Sequence, residues 1–228
     1  MKKGKLYGVG VGPGDPELMT LKAVRLIKEA DLIAVPHRDK NKCLALRIAS
    51  GAVPELDDKE ILEISMPMIL DMKKREMAYK AGADKLAKVL DEGKTVVFLT
   101  LGDPSVFSTY YYLHEKLAAA GYDCELVSGV PSFCAVAAAL NTSLCQDKEE
   151  LHIIPGVFNP DKALAYPGTK VLMKNDIPTT KNAVIERGLS AMMVENCGSA
   201  DQHIYNSVEE IPDEVSYFSV VVVKEEKK

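Results

Sequence analysis

The chain lacks the marks of several common nucleotide and redox chemistries. No G-x-x-x-x-G-K-[ST] run occurs, so the phosphate cradle of P-loop enzymes is missing. The glycine-rich opening also fails as a dinucleotide fingerprint. Counted from Gly8 the third glycine position of G-x-G-x-x-G holds Pro13, and counted from Gly10 it holds Asp15. The usual methyltransferase glycine loop follows an acidic residue, whereas Tyr7 stands before Gly8. Five cysteines are scattered and odd in number, with no C-x-x-C, which favours reduced thiols in a cytoplasm over a disulfide framework. Of these, Cys134 and Cys145 read as small core residues. Four histidines (His37, His114, His152, His203) are too dispersed for a pattern such as H-x-x-x-H, and no protein-bound metal is expected. No run reaches transmembrane length, and Met1-Lys2-Lys3 leads into a strand pattern rather than a signal peptide, so no membrane is expected. A net charge of −5 gives no overall pull toward nucleic acid.

What is present is an alternation of strand and helix patterns across 228 residues, 47% of them hydrophobic. Residues 5–9, 31–35, 95–101, 125–128, 151–154, 170–173, 190–194 and 216–224 read as strands. Residues 18–30, 71–90, 107–119, 132–140 and 179–187 read as helices, two of them closed by Gly93 and Gly121. Strands separated by helices imply an α/β protein with largely parallel sheets. A boundary near Gly121–Asp123 divides the chain into an N-terminal α/β domain (1–122) and a C-terminal one (123–228). The charged tail 224–228 is expected to fray.

One tripeptide occurs twice. Gly14-Asp15-Pro16 ends the run Tyr7-Gly8-Val9-Gly10-Val11-Gly12-Pro13, and Gly102-Asp103-Pro104 ends the apolar run 95–101. In both places a strand stops at a glycine-rich turn before a helix, the layout in which α/β proteins place small-molecule sites. Glycine lets a ligand approach the main chain, and proline stiffens the turn. Each aspartate has two readings: a cap for its own turn or helix, or an acceptor for a ligand's donors.

The run Gly8–Ala23 resembles the opening signature of the tetrapyrrole methylases, S-adenosylmethionine-dependent enzymes of corrin and sirohaem synthesis, and Leu101-Gly102-Asp103-Pro104 resembles their second glycine-rich motif. Within that family, Gly102–Tyr110, Gly129–Ala135 and Val194–Gly198 are similar to C20-methyltransferases acting on precorrin-2 or on cobalt-factor II. The resemblance implies two α/β domains of the tetrapyrrole methylase type, with the cofactor cleft between them, in a cytoplasmic homodimer of cobalamin biosynthesis. It implies that S-adenosylmethionine, leaving as S-adenosylhomocysteine, is held by Pro13, Leu101, Gly102, Asp103, Val106, Pro131, Ser132, Met173 and Cys197. Two positions depart from the pattern: Pro131 stands where many relatives have threonine, and Cys197 where several have glycine.

Methyl transfer to an electron-rich ring carbon asks mainly for positioning and exclusion of water. Asp103 is the candidate carboxylate for charge stabilisation or loss of the ring proton. Tyr110 is a second catalytic candidate, with core packing as the alternative for the Tyr110-Tyr111-Tyr112 run. The acetate and propionate groups of a tetrapyrrole need cations, for which Arg38 and Lys40 form one loop and Lys73, Lys74 and Arg75 another. Solvated charge is the alternative for both. Met66 and Met68 are candidates to line an apolar pocket. Any cobalt would arrive inside the macrocycle. A methylase of another corrin carbon and a non-catalytic cofactor-binding module are the rival readings.

Overall fold

The computed structural model describes residues 3–67, 69–156, 159–173 and 176–225. Met68 and the last residues of the charged tail therefore lie outside the described residues. The chain forms two compact units, Met1–Pro131 and Ser132–Lys228.

The first unit contains β1 (Lys5–Gly10), α1 (Leu21–Glu29), β2 (Leu32–Val35), α2 (Leu44–Ala52), β3 (Ile61–Glu63), α3 (Met72–Asp91), β4 (Val96–Thr100), α4 (Tyr110–Ala119) and β5 (Asp123–Val127). The strands lie in the order β3-β2-β4-β1-β5, every pair parallel. A parallel sheet is covered on both faces, and β4 shows how its sequence serves both. Val97 and Leu99 join the core under α1 and α2, while Val96 and Phe98 join the core under α3 and α4, as the two-residue repeat of a strand requires. The expected boundary at 122/123 moves to Pro131/Ser132, because β5 pairs with β1 and so completes the first sheet.

Local chemistry sets where the helices start. Asp15 accepts the Glu17 amide at 2.8 Å and caps a 3-10 turn over Pro16–Leu18. The helix itself therefore starts later than residue 18, with Thr20 accepting the Ala23 amide at 3.2 Å. Asp71 caps α3 through the Lys73 and Lys74 amides, and Gly93 follows it at φ +85. α4 begins at Tyr110 rather than 107, because Phe107 has φ +49 and cannot enter a right-handed helix.

The second unit contains α5 (Ser132–Ala139), β6 (Leu151–Pro155), α6 (Pro160–Leu164), β7 (Thr169–Met173), α7 (Ile177–Glu186), β8 (Ser190–Glu195), β9 (His203–Tyr205) and β10 (Ser219–Lys224). Its order is β6-β7-β10-β8-β9, and only β6 and β7 run parallel. β10 is antiparallel to both β7 and β8, and β9 to β8. This corrects the expectation of a largely parallel sheet. No helix lies between β8 and β10 among the described residues, and a parallel return needs such a crossover.

Tyr110 lies wholly in the α3/α4 core. Its ring packs on Phe98 at 4.9 Å and fills the space over Gly8, where an added Cβ would stand 1.9 Å from the ring. Its hydroxyl lies 3.3 Å from Nδ1 of His114, and burial lowers the His114 pKa from its ordinary value. A histidine held neutral by the fold adds stability that is complete above the unfolded value near 6.5 and is lost as pH falls through the lower folded value. His114→Asn should therefore melt with a shallower decline than wild type between about pH 7.5 and about pH 5.5. Parallel melting curves of the two proteins across that window, read by circular dichroism, would contradict this.

Candidate functional site

β1, β4 and β5 are neighbours, so their following loops emerge together at the carboxyl end of the sheet. The first two are laced. Val11 N–H donates to Thr100 O at 2.9 Å, Gly102 N–H to Gly12 O at 2.8 Å, and Gly12 N–H to Gly102 O at 3.3 Å. Both glycines of this antiparallel bridge have positive φ, +77 at Gly12 and +63 at Gly102. The third loop closes in just as tightly. A Cβ on Gly129 would stand 2.1 Å from Gly102 O, and one on Gly10 would stand 2.4 Å from the same oxygen. Backbone cannot yield as a flexible side chain can, so glycine is required at these contacts. α1 leaves onto one face of the sheet and α4 onto the other. The laced loops therefore sit at a reversal of connection, where open α/β sheets bind ligands.

Asp103 ties the arrangement together. It is buried, and its Oδ1 accepts from Ser105 N–H at 2.7 Å and from Ser105 Oγ at 2.5 Å. Its Oδ2 reaches across to accept Gly129 N–H at 3.1 Å. One carboxylate thus fixes its own turn and joins the β4 and β5 loops.

The family model for Tetrapyrrole (Corrin/Porphyrin) Methylases matches residues 5–212. This chain belongs to that family. The probable cobalt-precorrin-2 C(20)-methyltransferase of Methanocaldococcus jannaschii is 39% identical over 80% of this chain and 77% of its own length. The precorrin-2 C(20)-methyltransferase of a Sinorhizobium species is 30% identical over 96% of this chain and 95% of its own. Longer curated relatives match as well, and the chain spans 46% of their length. The crystal structure of a uroporphyrin-III C-methyltransferase from Thermus thermophilus, complexed with S-adenosylhomocysteine, has a TM-score of 0.71 at 24% identity. It covers 97% of this chain and 98% of that one, a likeness of fold.

Within this methylase chain, Pro13, Leu101, Gly102, Val106 and Pro131 are half-buried members of the three converging loops. They combine glycine backbone with apolar side chains that keep part of their surface free, apolar surface that fits the adenosyl part of S-adenosylmethionine. Ser132, Met173 and Cys197 belong to the second unit. β7 and β8 both pair antiparallel with β10, which brings half-buried Met173 at the end of β7 to the same sheet edge as the segment leading to Cys197. Cys197 is buried, and that burial raises its thiol pKa. Tyr110 has no exposed surface. Its place is the core, which corrects the expectation that it acts on a ligand.

Arg38 and Lys40 are exposed in the loop after β2, at the carboxyl end of the same parallel sheet. Arg38 Nε donates to Ser65 Oγ at 2.8 Å, and the Lys40 amide donates to Glu63 Oε1 at 2.8 Å. The loop backbone is thereby held while both cationic side chains stay at the surface. Cys134 and Cys145 are exposed, against the core placement expected for them, and Cys43 and Cys197 are the buried pair. Met66 is buried in the α3/α4 core. Sequence reasoning missed Gly10, Gly12 and Gly129 as individual contributors. Their shared signal was a glycine in the last positions of, or just after, each strand that ends here.

Asp103→Asn leaves one oxygen for two sites that now use one each, and Asp103→Ala leaves none. Losing the bond to the Gly129 amide should destabilise the first unit by about 1–3 kcal/mol. We expect unfolding midpoints in the order wild type, Asn, Ala, with S-adenosylhomocysteine affinity falling in the same order by calorimetry. Midpoints and affinity unchanged in Asp103→Ala would remove Asp103 from its tying role.

Proposed function

We propose that this chain transfers the methyl group of S-adenosylmethionine to C20 of precorrin-2 or of cobalt-factor II in cobalamin biosynthesis. The observation that carries the reading is the three-loop glycine junction at the carboxyl end of the first sheet, in a chain of the tetrapyrrole methylase family. The names of the relatives at 39% and 30% identity support the substrate and the ring position. The higher identity belongs to the relative named for cobalt-precorrin-2, which favours the cobalt-bound substrate. When bound, S-adenosylmethionine supplies an electrophilic methyl on a sulfonium.

In this reading the main chain of Leu101 and Gly102 and the apolar surfaces of Pro13, Val106 and Pro131 hold that cofactor. The family resemblance also assigns cofactor contacts to Ser132, Met173 and Cys197. Asp103 acts by fixing the loops rather than by carrying a proton, since its carboxylate already accepts three hydrogen bonds. Arg38 and Lys40 meet ring carboxylates. The chemistry balances without a protein nucleophile: the C20–methyl bond forms, the sulfur–methyl bond breaks with its electron pair remaining on sulfur, and the C20 proton passes to solvent after transfer. Positioning and exclusion of water are what the protein has to contribute. A cytoplasmic homodimer is the assembly in which we place it.

Anaerobic incubation with S-adenosylmethionine and either tetrapyrrole tests this, read by mass spectrometry and by NMR with a carbon-13 methyl. The expected product gains one methyl at C20, with cobalt-factor II turned over faster. A methyl at another ring carbon assigns the rival corrin methylase, and no methyl gain despite S-adenosylhomocysteine binding leaves a binding module.

A further inference from the structure

The first unit carries a feature that the glycine junction does not account for. Beside the turn between β4 and α4 lies an open hollow of about 530 Å³ lined in part by Arg75, Tyr79, Ser105, Phe107, Tyr111 and Tyr112. That volume falls within the range of small-molecule sites. Three of its rings are turned outward, with Phe107 54%, Tyr111 43% and Tyr112 47% exposed. Clustered exposed aromatics on a soluble chain mark a contact surface.

These rings are held in place. Phe107 keeps a left-handed backbone at φ +49, a conformation that costs a bulky residue energy and persists only where its surroundings enforce it. The turn around it is pinned by the Val106 amide on Asp103 O at 3.2 Å and by Thr100 Oγ1 with Ser108 Oγ at 2.9 Å. Tyr112 stacks on Tyr79 at 5.1 Å and 21°, and Tyr111 on His114 at 5.7 Å and 11°. Fixed flat rings are suited to a flat conjugated ligand.

The charge in the hollow has one sign. Arg75 is half-buried, and among the described residues no carboxylate lies at ion-pair distance from it. Its neighbour Glu76 is taken by Lys116, and Asp71 lies 3.8 Å from Lys74. No acidic residue lines the hollow among those described. A partly desolvated guanidinium without a partner, on a protein of net charge −5, is a receptor for a carboxylate in the bidentate manner open to arginine.

We propose that this hollow docks one edge of the tetrapyrrole. The macrocycle packs against Phe107, Tyr111 and Tyr112, and Arg75 takes a ring carboxylate. The proposal rests on the methylase reading above and names the residues that would select its substrate. The hollow adjoins the methyl-donor loops directly, because Ser105 lines it while bonding Asp103. One turn would thus place substrate edge and cofactor side by side, as methyl transfer demands.

The test is fluorescence titration of the full chain with uroporphyrin III, a planar polycarboxylate that serves as an unreactive probe. S-adenosylhomocysteine affinity is measured in parallel. Wild type should bind the porphyrin. Arg75→Gln should weaken that binding about ten- to hundredfold and flatten its salt dependence. Phe107→Ala should weaken it about threefold to tenfold. Both variants should keep S-adenosylhomocysteine affinity within about twofold. No porphyrin binding by wild type, or unchanged binding in both variants, overturns the proposal. A dimer that dissociates in Phe107→Ala while porphyrin affinity holds assigns the face to a second copy, and overturns it too. Methyl transfer to C20 alongside Arg75-independent porphyrin binding would defeat this proposal alone. Arg75-dependent binding without methylation of either tetrapyrrole would defeat the C20 reading instead.

Discussion

The reciprocal backbone hydrogen bonds between Gly12 and Gly102 are the contact on which the rest of the site depends. They extend the pairing of β1 and β4 beyond the end of the sheet, into two loops that would otherwise separate toward opposite faces. Such lacing is open only to residues that tolerate positive φ and very close approach. The β5 loop then packs its own glycine against the same carbonyl, and Asp103 bonds the assembly across. The order β3-β2-β4-β1-β5 makes this possible by placing β1 between the other two strands. A different order would scatter the same glycines over the edge of the sheet.

Much of this was legible in the residues. The apolar run 95–101 announced a central strand buried on both faces, and β4 is that strand. The repeated Gly-Asp-Pro pointed to two loops at one end of a parallel sheet, although the two aspartates proved to do different things. Asp15 caps a short turn, whereas Asp103 reaches a third loop 26 residues further along the chain. No local pattern could separate them, since the difference lies in which strand happens to be adjacent. The antiparallel half of the second sheet was hidden for a similar reason. β9 is three residues long and mostly exposed, too short to show a period, and without it the return of β10 reads as another crossover.

The tyrosine run shows how finely a helix start divides roles. Tyr110 is buried under the sheet, while Tyr111 and Tyr112 face outward. The cause is the left-handed Phe107, which delays α4 and sets its phase. Exposed aromatic surface at the start of α4 thereby lines one hollow with an unpaired arginine of α3. An acidic protein can in this way present a local cationic, aromatic face to a polycarboxylate, because near contacts outweigh net charge once salt screens the long-range field. The buried ring serves the fold, and the other two keep exposed surface.

If this chain is a C20-methylase, its laced loops hold the methyl donor. Amide resonances of the nitrogen-15-labelled chain, followed during titration with S-adenosylhomocysteine, address that directly. We expect the largest shifts at Gly12, Gly102, Asp103 and Gly129, saturating together at one site. Saturable binding that leaves those four amides unmoved would contradict it.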